Sequence, residues 1–426
     1  MKQSTRHMIP PGTADIFGAK MRLREHALNV IEHTYKKFGF EPLSTPVLEN
    51  AIVFDGHHGE GEKLLFNLND KNGNPLVLRY DLTVPLARVM GMYPQLMRPF
   101  KRYQLALSFR DDEPDKGHFR EFIQCDADAV GISDLTADAE VIMMAATGLE
   151  KIGFGSYVIR VNHRGILKGI AECIGGYNCD VLKFQRSLDF ADKVLKQGIE
   201  GIKSDLAEKG FDQRSINLLL PILGLNGDPM HVLDGIFAML MDHVSLNQGV
   251  SDLRKILSYL PKEIYNHVEI DFTLARGADY YTGFILEGVI PEIPVGAVLG
   301  GGRYDNLIAA AGGKSEPAVG MAFGLERIIT AMEELSMMVN DENPTILLFG
   351  VNKQTAITRA YQMRRHDIMV DYNPNIMILS EAVEYARTRG YSAVVCCDGL
   401  EIAITTIKPT PESFYQKMSE AVRSFA

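Results

Sequence analysis

A charged hairpin in the first third of the chain carries side chains that could bind a small charged molecule. Alternating apolar and polar residues predict a strand that ends near Phe109 and a second strand over residues 120–128. The charged loop between them contains Pro114 and Gly117, which predict a turn. A solvated sheet face is the commoner explanation of such a hairpin, but the second strand lacks alternating lysines and the surrounding chain is largely apolar. A binding face is therefore favoured, with these polar side chains on it: Arg110, Gln124, Asp126 and Asp128.

Two other short stretches could contribute to the same site. Asp81 and Thr83 follow a predicted strand and could hold an ammonium group, although either residue would also serve as the N-cap of the next helix. The polar turn at 276–283 contains the adjacent tyrosines Tyr280 and Tyr281. Their rings could line a site for a polar aromatic ligand, or pack in the core with satisfied hydroxyls. The residues alone leave both explanations open.

A glycine-rich stretch with a following arginine has the features of a ligand-facing turn. Glycines such as Gly324 let the backbone approach a planar ligand, and Arg327 could stack on a base or pair with a phosphate. The alternative is an ordinary strand-to-helix turn with an exposed arginine.

Several other catalytic signatures are missing from the sequence. His57 and His58 lack the helical spacing of a zinc site, and Gly300–Gly302 does not open a dinucleotide-binding unit. The sequence contains neither a nucleophile elbow nor a Walker motif. We therefore expect no metal site built from side chains and no protein nucleophile.

Composition and cysteine usage narrow the class of protein. At 426 residues and 46% hydrophobic residues, the chain can bury more than one core. Its five cysteines are odd in number and lack paired CxxC spacing, which predicts a reduced, cytoplasmic protein. No apolar run is long enough for a signal peptide or a membrane span. The net charge of −10 argues against non-specific nucleic-acid binding but allows a local surface that reads a structured RNA.

The order of predicted elements indicates an α+β core followed by a small α/β domain. Sheet-like alternation dominates residues 1–335, except for a helical block at about 166–260. A polar linker is predicted at 336–344. Residues 345–426 predict strand, helix, strand, helix, strand, strand and helix, which is typical of a separate α/β domain.

Six motifs, taken in order, are more specific than any cluster alone. The chain resembles the class II aminoacyl-tRNA synthetases and, among them, the histidyl-tRNA synthetase family. This resemblance implies an antiparallel sheet flanked by helices, a helical insertion and a C-terminal domain like an anticodon-binding domain. Pro46 resembles the proline that closes the family's dimer-forming motif. The matching motifs are RYDLTVPLAR (79–88), FKRYQ (100–104), REFIQCDADAVG (120–131), ARGADYYTG (275–283), GGRYD (301–305) and AVGMAFGLERI (318–328).

The resemblance implies a role for each matching residue. The α-amino group of histidine would be held by Asp81, Thr83 and Gln124. The imidazole would be bound by Asp128 and Tyr281, with Tyr280 beside them. Residues implied in catalysis at the α-phosphate are Arg110 and Arg276. Residues implied in ATP binding are Arg110, Asp112, Gly324 and Arg327.

The activity that this resemblance implies is histidine–tRNA ligation by a cytoplasmic homodimer. ATP would be a substrate, Mg²⁺ would accompany its pyrophosphate, and tRNA(His) would accept the histidyl group. Attack of a carboxylate on a phosphate brings two anions together, so positioned cations are the main catalytic requirement. A chain without a protein nucleophile suits that chemistry.

The sequence departs from the family's pattern in places, and two alternatives remain. Ala14 and His118 replace arginines that are usual in the family, and Asp112 replaces the commoner glutamate. The C-terminal unit matches in order of elements but poorly in sequence. One alternative is a non-ligating, histidine-binding regulatory subunit of ATP phosphoribosyltransferase. The other is a histidine-activating paralogue with an acceptor other than tRNA. Retention of the three ATP-site arginines favours the ligase.

Overall fold

The computed structural model divides the chain into two compact units, Met1–Met337 and Met338–Ala426. The residues that it describes are 8–54, 64–114, 117, 119–175, 203–204, 207–208, 210–241, 243–275, 280–337, 345–398, 401–408 and 412–423. Among these residues, none of the helices combines the length and the apolar character that a membrane crossing requires.

An eight-stranded sheet forms the centre of the first unit, and a three-stranded antiparallel sheet accompanies it. The strands are β1 (Glu41–Pro42), β2 (Leu48–Asn50), β3 (Asn67–Asn69), β4 (Pro75–Leu78), β5 (Phe100–Phe109), β6 (Glu121–Val130), β7 (Val158–His163), β8 (Val268–Ile270), β9 (Phe284–Val289), β10 (Ala297–Arg303) and β11 (Ala318–Gly324). The large sheet has the order β1-β5-β6-β11-β10-β9-β7-β8, and the small sheet the order β2-β4-β3. Only the outer pairs β1–β5 and β7–β8 of the large sheet are parallel. Its six central strands are antiparallel.

Helices pack on both faces of the large sheet. The helices of this unit are α1 (Ala19–Lys37), α2 (Thr83–Met92), α3 (Thr136–Ile152), α4 (Arg164–Gly175), α5 (Gln213–Leu223), α6 (Pro229–Leu240), α7 (Val244–Ser258), α8 (Lys262–Tyr265), α9 (Leu307–Ala310) and α10 (Leu325–Glu334). The Tyr35 hydroxyl of α1 donates to the Cys125 carbonyl of β6, 2.5 Å away. The Phe323 ring of β11 packs so closely on α3 that a Cβ on Gly148 would lie 2.4 Å from it. Odd-numbered residues of β6 and β11 thus face α1 and α3, and even-numbered residues face the opposite side.

The predicted helical block is present in its described part as helices α4 to α7. Two of these helices begin at aspartate caps, because Asp212 accepts a hydrogen bond from the Ser215 amide and Asp228 accepts one from the Met230 amide. Helix α4 packs tightly on α7, where a Cβ on Gly169 would lie 2.5 Å from the Leu246 side chain. This close packing makes the root of the block rigid where it leaves β7.

His163, at the end of β7, is buried where the helical block leaves the sheet. Its Nδ1 accepts a hydrogen bond from the Gly165 amide at 3.0 Å. Its Nε2 lies 3.5 Å from Asp252 of α7. Burial, opposed in part by Asp252, lowers the pKa of His163 from 6.5 to about 4. The imidazole is therefore neutral in the folded protein at neutral pH.

This buried histidine predicts a loss of stability in mild acid. As pH falls from about 7.5 to about 5, His163 becomes protonated in the unfolded chain but stays neutral in the folded protein. This difference lowers the free energy of unfolding by about 2 kcal/mol. Thermal unfolding of the intact chain and of His163→Gln at both pH values would measure the contribution of His163 to the pH dependence of stability. We expect a smaller pH-dependent drop in Tm for His163→Gln, and no such change for His33→Gln, an exposed position on α1. Equal drops in the intact chain and in His163→Gln would contradict the prediction.

The second unit has a four-stranded sheet with helices on both faces. Its strands are β12 (Thr345–Phe349), β13 (Met369–Tyr372), β14 (Ala393–Asp398) and β15 (Glu401–Thr406), and its helices are α11 (Lys353–Arg365), α12 (Leu379–Arg389) and α13 (Glu412–Arg423). The sheet order is β13-β12-β14-β15, with only β15 antiparallel to its neighbour. Alternate residues of β12 enter two separate cores, Ile346 with α11 and α13, and Leu347 with α12. The predicted order of elements in this unit is the one observed.

Candidate active site

A trough on the face of the large sheet opposite α1 and α3 holds most of the predicted site residues, and α2 and α9 pack at one end of the same face. Side chains that lie opposite each other in paired strands point to the same face. Asp128 of β6 is paired with Arg102 of β5 and Gly320 of β11, and Gly320 is paired with Gly302 of β10. The trough has a small-residue floor because β10 and β11 place only glycine and alanine there. The members of this floor are Gly300, Gly302, Gly320, Ala322 and Gly324.

Asp128 lies at one edge of this floor in a buried ion pair. Its Oδ2 is 2.7 Å from Nη2 of Arg102, a fully buried residue, and the Tyr304 hydroxyl donates to its Oδ1. The ion pair is not aligned as a hydrogen bond, so Oδ2 has no hydrogen bond among the described residues. Burial raises the pKa of Asp128, and the charge of Arg102 opposes that rise. Asp128 can therefore accept a hydrogen bond from a ligand that reaches the floor.

The Asp128 carboxylate keeps its position only if residue 320 has no side chain. A Cβ on Gly320 would lie 2.2 Å from Oδ1 of Asp128 and 2.6 Å from the Ala127 carbonyl oxygen. For the histidine that the sequence resemblance implies, we expect Gly320→Ala to displace Asp128 and to raise the KM roughly 10- to 100-fold, as the loss of a charged hydrogen bond would. Ala322→Gly changes the next floor position without adding atoms and serves as the control. Steady-state pyrophosphate exchange with varied histidine tests this, and an unchanged KM for Gly320→Ala would contradict it.

Three tyrosines form a wall above the floor. The ring centroids of Tyr280 and Tyr281 are 5.0 Å apart, and that of Tyr304 lies 5.6 Å from Tyr280 and 6.4 Å from Tyr281. All three pairs meet edge to face, the geometry that aromatic rings prefer. A Cβ on Gly302 would approach Tyr281 to 3.0 Å, so the floor must be bare for this ring to lie over it. Burial raises the pKa of Tyr281, which keeps its hydroxyl protonated and able to donate.

The turn before α2 is tied into the same site. Arg102 donates through Nη2 to the Leu82 carbonyl at 3.0 Å. Asp81 is buried, and its Oδ1 accepts a hydrogen bond from the Val84 amide at 3.1 Å. Asp81 thus fulfils the capping role at the start of α2 with one oxygen. The Thr83 side chain lies close enough to Tyr280 to influence the pKa of its hydroxyl, so the turn borders the tyrosine wall.

Arg110 lies at the hairpin end of the trough. Its guanidinium carbon is 4.3 Å from the ring centroid of Tyr80 and 5.0 Å from that of Phe122. These cation–π contacts hold the guanidinium in place, while its Nε has no hydrogen-bond partner among the described residues. Asp112 follows in the loop, where its Oδ1 accepts a hydrogen bond from the Glu113 amide. The hairpin thus presents a fixed cation.

Arg327 lies beside a cavity of about 410 Å³ that extends over β7, β9 and the turn before β10. Its Nη1 donates to the Ala297 carbonyl at 2.8 Å. Gly324, the last residue of the floor, is paired with Gln124 of β6. Among the charged residues that line this cavity are Arg160, Asp271 and Glu287. The cavity therefore presents both signs of charge beside Arg327.

The structure brings together most of the residues predicted from the sequence. The predicted site residues that share the trough and its tyrosine wall are Asp81, Thr83, Gln124, Asp128, Tyr280 and Tyr281. Arg110 lies at the hairpin end, and Arg327 beside the cavity. Arg276 and His118 lie outside the described residues. Two side chains at the centre of the site, Arg102 and Tyr304, were assigned no role from the sequence. In the sequence, only their positions within the FKRYQ and GGRYD motifs could have indicated that they belong to the site.

Metal-ligating side chains do not cluster in the described part of the chain. Groups of three or more His, Cys, Asp or Glu residues with suitable geometry are absent from it. Any metal ion used there would have to draw much of its coordination from a ligand or from water.

The antiparallel sheet, the trough on its face opposite α1 and α3, and the arginine-bearing hairpin define the catalytic core of a class II aminoacyl-tRNA synthetase. Residues 12–328 match the family model described as "Histidyl-tRNA synthetase". The chain belongs to the histidyl-tRNA synthetase family.

Comparisons with individual proteins agree with this membership. The chain is 34% identical over 427 residues to the histidine–tRNA ligase of Christiangramia forsetii, and the alignment covers 92% of each chain. The crystal structure of histidyl-tRNA synthetase from Nostoc sp. PCC 7120 superposes with a TM-score of 0.81 at 23% identity, covering 99% of this chain and all of that one. An ATP phosphoribosyltransferase regulatory subunit/histidyl-tRNA synthetase from Bacillus halodurans gives a TM-score of 0.76 at 21% identity, covering 94% of this chain and 100% of that one. The two structural likenesses establish the fold alone, and the predicted fold class is confirmed.

Proposed function

We propose that this chain is a histidine–tRNA ligase. It activates histidine with ATP to histidyl-adenylate and pyrophosphate, then transfers the histidyl group to the 3′ end of tRNA(His). The observation that carries the proposal is the buried cluster at the floor, where three carboxylates face one buried arginine under a tyrosine wall. That excess of negative charge suits a small cationic ligand with a polar ring.

In this proposal the histidine lies along β6. Gln124, Asp81 and Thr83 bind its ammonium end, and Asp128 and Tyr281 bind its imidazole. The residues agree with the chemistry, since Asp128 accepts and the protonated Tyr281 hydroxyl can donate. A substrate without ring nitrogens would leave the buried Asp128 unpaired, which costs about 1–3 kcal/mol or more for a charged group.

ATP occupies the trough towards the hairpin and Arg327. Arg110 and Arg276 meet the α-phosphate, while Arg327, Gly324 and Asp112 contact the rest of the nucleotide. Mg²⁺ would neutralise the leaving pyrophosphate. It usually takes one or two carboxylates and completes its shell with phosphate oxygens and water, so the donor set in the described residues fits it through Asp112. The chain's own part is to hold two anions in line and to meet the growing charge with fixed guanidinium groups.

We also propose that the protein is a cytoplasmic homodimer. In each chain the first unit would catalyse the reaction and the second would bind the tRNA. Large apolar side chains are exposed around the predicted dimer-forming segment, including Phe17 at 81% and Ile52 at 75% exposure, and such surfaces mark interfaces. Residues 1–335 would form the catalytic core with its insertion at about 166–260. After a linker at 336–344, residues 345–426 would form the domain that reads the tRNA anticodon. Sedimentation of the purified chain tests the dimer.

Histidine-dependent exchange of pyrophosphate into ATP, followed by charging of total tRNA, tests the function. Exchange with charging supports the ligase. Exchange without charging would instead favour activation for another acceptor. Histidine binding without exchange would favour the regulatory paralogue, which needs the histidine site but no ATP-site arginines. Arg110 and Arg327 both lie at the trough and its adjoining cavity, and this favours the ligase over that alternative.

A further inference from the structure

Asp126 is a buried carboxylate at the centre of the trough. It is 2% exposed, and its Oδ1 has no hydrogen-bond partner among the described residues. Its Oδ2 lies 3.9 Å from Nη2 of Arg102, too far for a hydrogen bond. Two residues away, the side-chain oxygen of Gln124 is also buried and without a partner in the described part of the chain. Buried polar atoms without partners are uncommon and costly, so these two acceptors call for a donor.

The space on the β11 side of Asp126 is open because the strands there carry small residues. On its other side lies Gln104 of β5, whose amide nitrogen donates to the Thr45 hydroxyl. Asp126 is paired with Ala322, and Ala322 with Gly300, so the next side chain in the row is Glu287 of β9. Neither Ala322 nor Gly300 has a side chain that can donate a hydrogen bond. The unpartnered oxygens of Asp126 and Gln124 therefore share one face over the small-residue floor. A ligand that lies on that floor can donate to both oxygens.

Charge balance points to a cation. Asp81, Asp126 and Asp128 are buried together, and the only arginine in ion-pair contact with them in the described residues is Arg102. Burial raises the pKa of Asp126 well above its usual range, and repulsion from Asp128 and Asp81 adds to that rise while Arg102 opposes it. A bound cation would restore the charged form of Asp126.

An ammonium group fits these acceptors better than an imidazole. Asp128 is already ion-paired with Arg102 and accepts a hydrogen bond from Tyr304. It can still accept the one hydrogen bond that an imidazole N–H donates. An ammonium has three N–H donors that diverge, so one group can donate to Gln124, Asp126 and Asp81 together, with Thr83 beside them at the ammonium end. We propose that Asp126 is a further substrate-binding residue that receives a hydrogen bond from the α-ammonium of histidine. The proposal rests on the proposed function, since it assumes that histidine is the ligand.

The test compares ligands that keep or lack the ammonium group. Calorimetry would measure binding of histidine, of histidinol, which keeps the ammonium, and of 3-(imidazol-4-yl)propionate, which lacks it. We expect Asp126→Asn to weaken binding of histidine and histidinol roughly 10- to 100-fold, because the ammonium then donates to a neutral amide oxygen in place of a carboxylate. The propionate should bind Asp126→Asn about as well as it binds the intact chain. Asp126→Ala, judged by the same ratio of affinities, replaces Asp126→Asn if that variant does not fold.

Glu121→Gln is the matched control, since Glu121 is an exposed carboxylate on the same strand with the opposite parity. It should leave all three affinities unchanged. Equal losses for histidine and the propionate in the Asp126 variants would overturn the assignment, as would an undiminished affinity for histidine. An intact chain that binds no histidine would overturn the proposed function together with this inference. Histidine binding by the intact chain, with equal losses in the variants, would overturn this inference alone.

Discussion

Arg110→Ala is expected to lower the kcat of histidine-dependent pyrophosphate exchange about 100- to 1,000-fold, the usual cost of removing one positioned donor from a developing charge. The guanidinium lies against the rings of Tyr80 and Phe122 and is therefore held before ATP arrives. Alanine removes both the charge and this preorganisation. Lysine keeps the charge but loses the planar fork, so Arg110→Lys should recover only part of the rate. Initial rates at saturating ATP and histidine give the comparison.

The control for this prediction is a lysine on the strand that leads into Arg110. Lys101 of β5 pairs with Glu140 of α3 and donates to the Phe38 carbonyl, so it lies on the α1 and α3 side of the sheet. Lys101→Ala removes a cation from β5 without touching the trough, and we expect it to retain kcat. If Arg110→Ala had the same kcat as Lys101→Ala, Arg110 would have no catalytic role.

Asp138→Asn is expected to destabilise the first unit by about 3–5 kcal/mol, because it removes the charge of the nearer carboxylate beside buried Arg303, which also pairs with Asp305 at 3.4 Å. Asp138 of α3 is fully buried, and both of its oxygens accept hydrogen bonds from Arg303 of β10, one of them at 2.9 Å. Arg303 also donates to the Ile132 carbonyl. This ion pair fastens α3 to the sheet. Calorimetric unfolding should show a lower Tm for the transition of the first unit.

Two comparisons separate this effect from a general loss of charge. The double variant Asp138→Leu/Arg303→Met removes both charges, so its loss should be clearly smaller than the sum of the two single losses. Lys20→Met breaks the exposed pair with Glu333, whose side chains are 37% and 39% exposed, and should cost at most about 1 kcal/mol. Additive losses in the double variant would show that the buried pair is not coupled.

The sequence by itself determined which residues share a strand face. Successive residues of a strand point to opposite sides, so Gln124, Asp126 and Asp128 had to lie together once residues 120–128 formed a strand. The same local rule gave the order of elements in the second unit. The six motifs taken in order, among them the one that contains Tyr280 and Tyr281, were enough to indicate the family, because residue types at fixed spacing need no tertiary information. Most of the candidate site was therefore predictable.

Only the tertiary structure decided which residues of other strands lie beside these side chains of β6. The register of β5, β6 and β11 places Arg102 and Gly320 on either side of Asp128. Strand register depends on hydrogen bonds and packing between segments far apart in sequence, and a slip of one residue would reverse every side chain. Nothing in the local pattern shows that Arg102 is buried or that the Tyr304 hydroxyl reaches Asp128. The unpartnered oxygen of Asp126 is a tertiary result as well, because it exists only where the facing strands leave the floor bare.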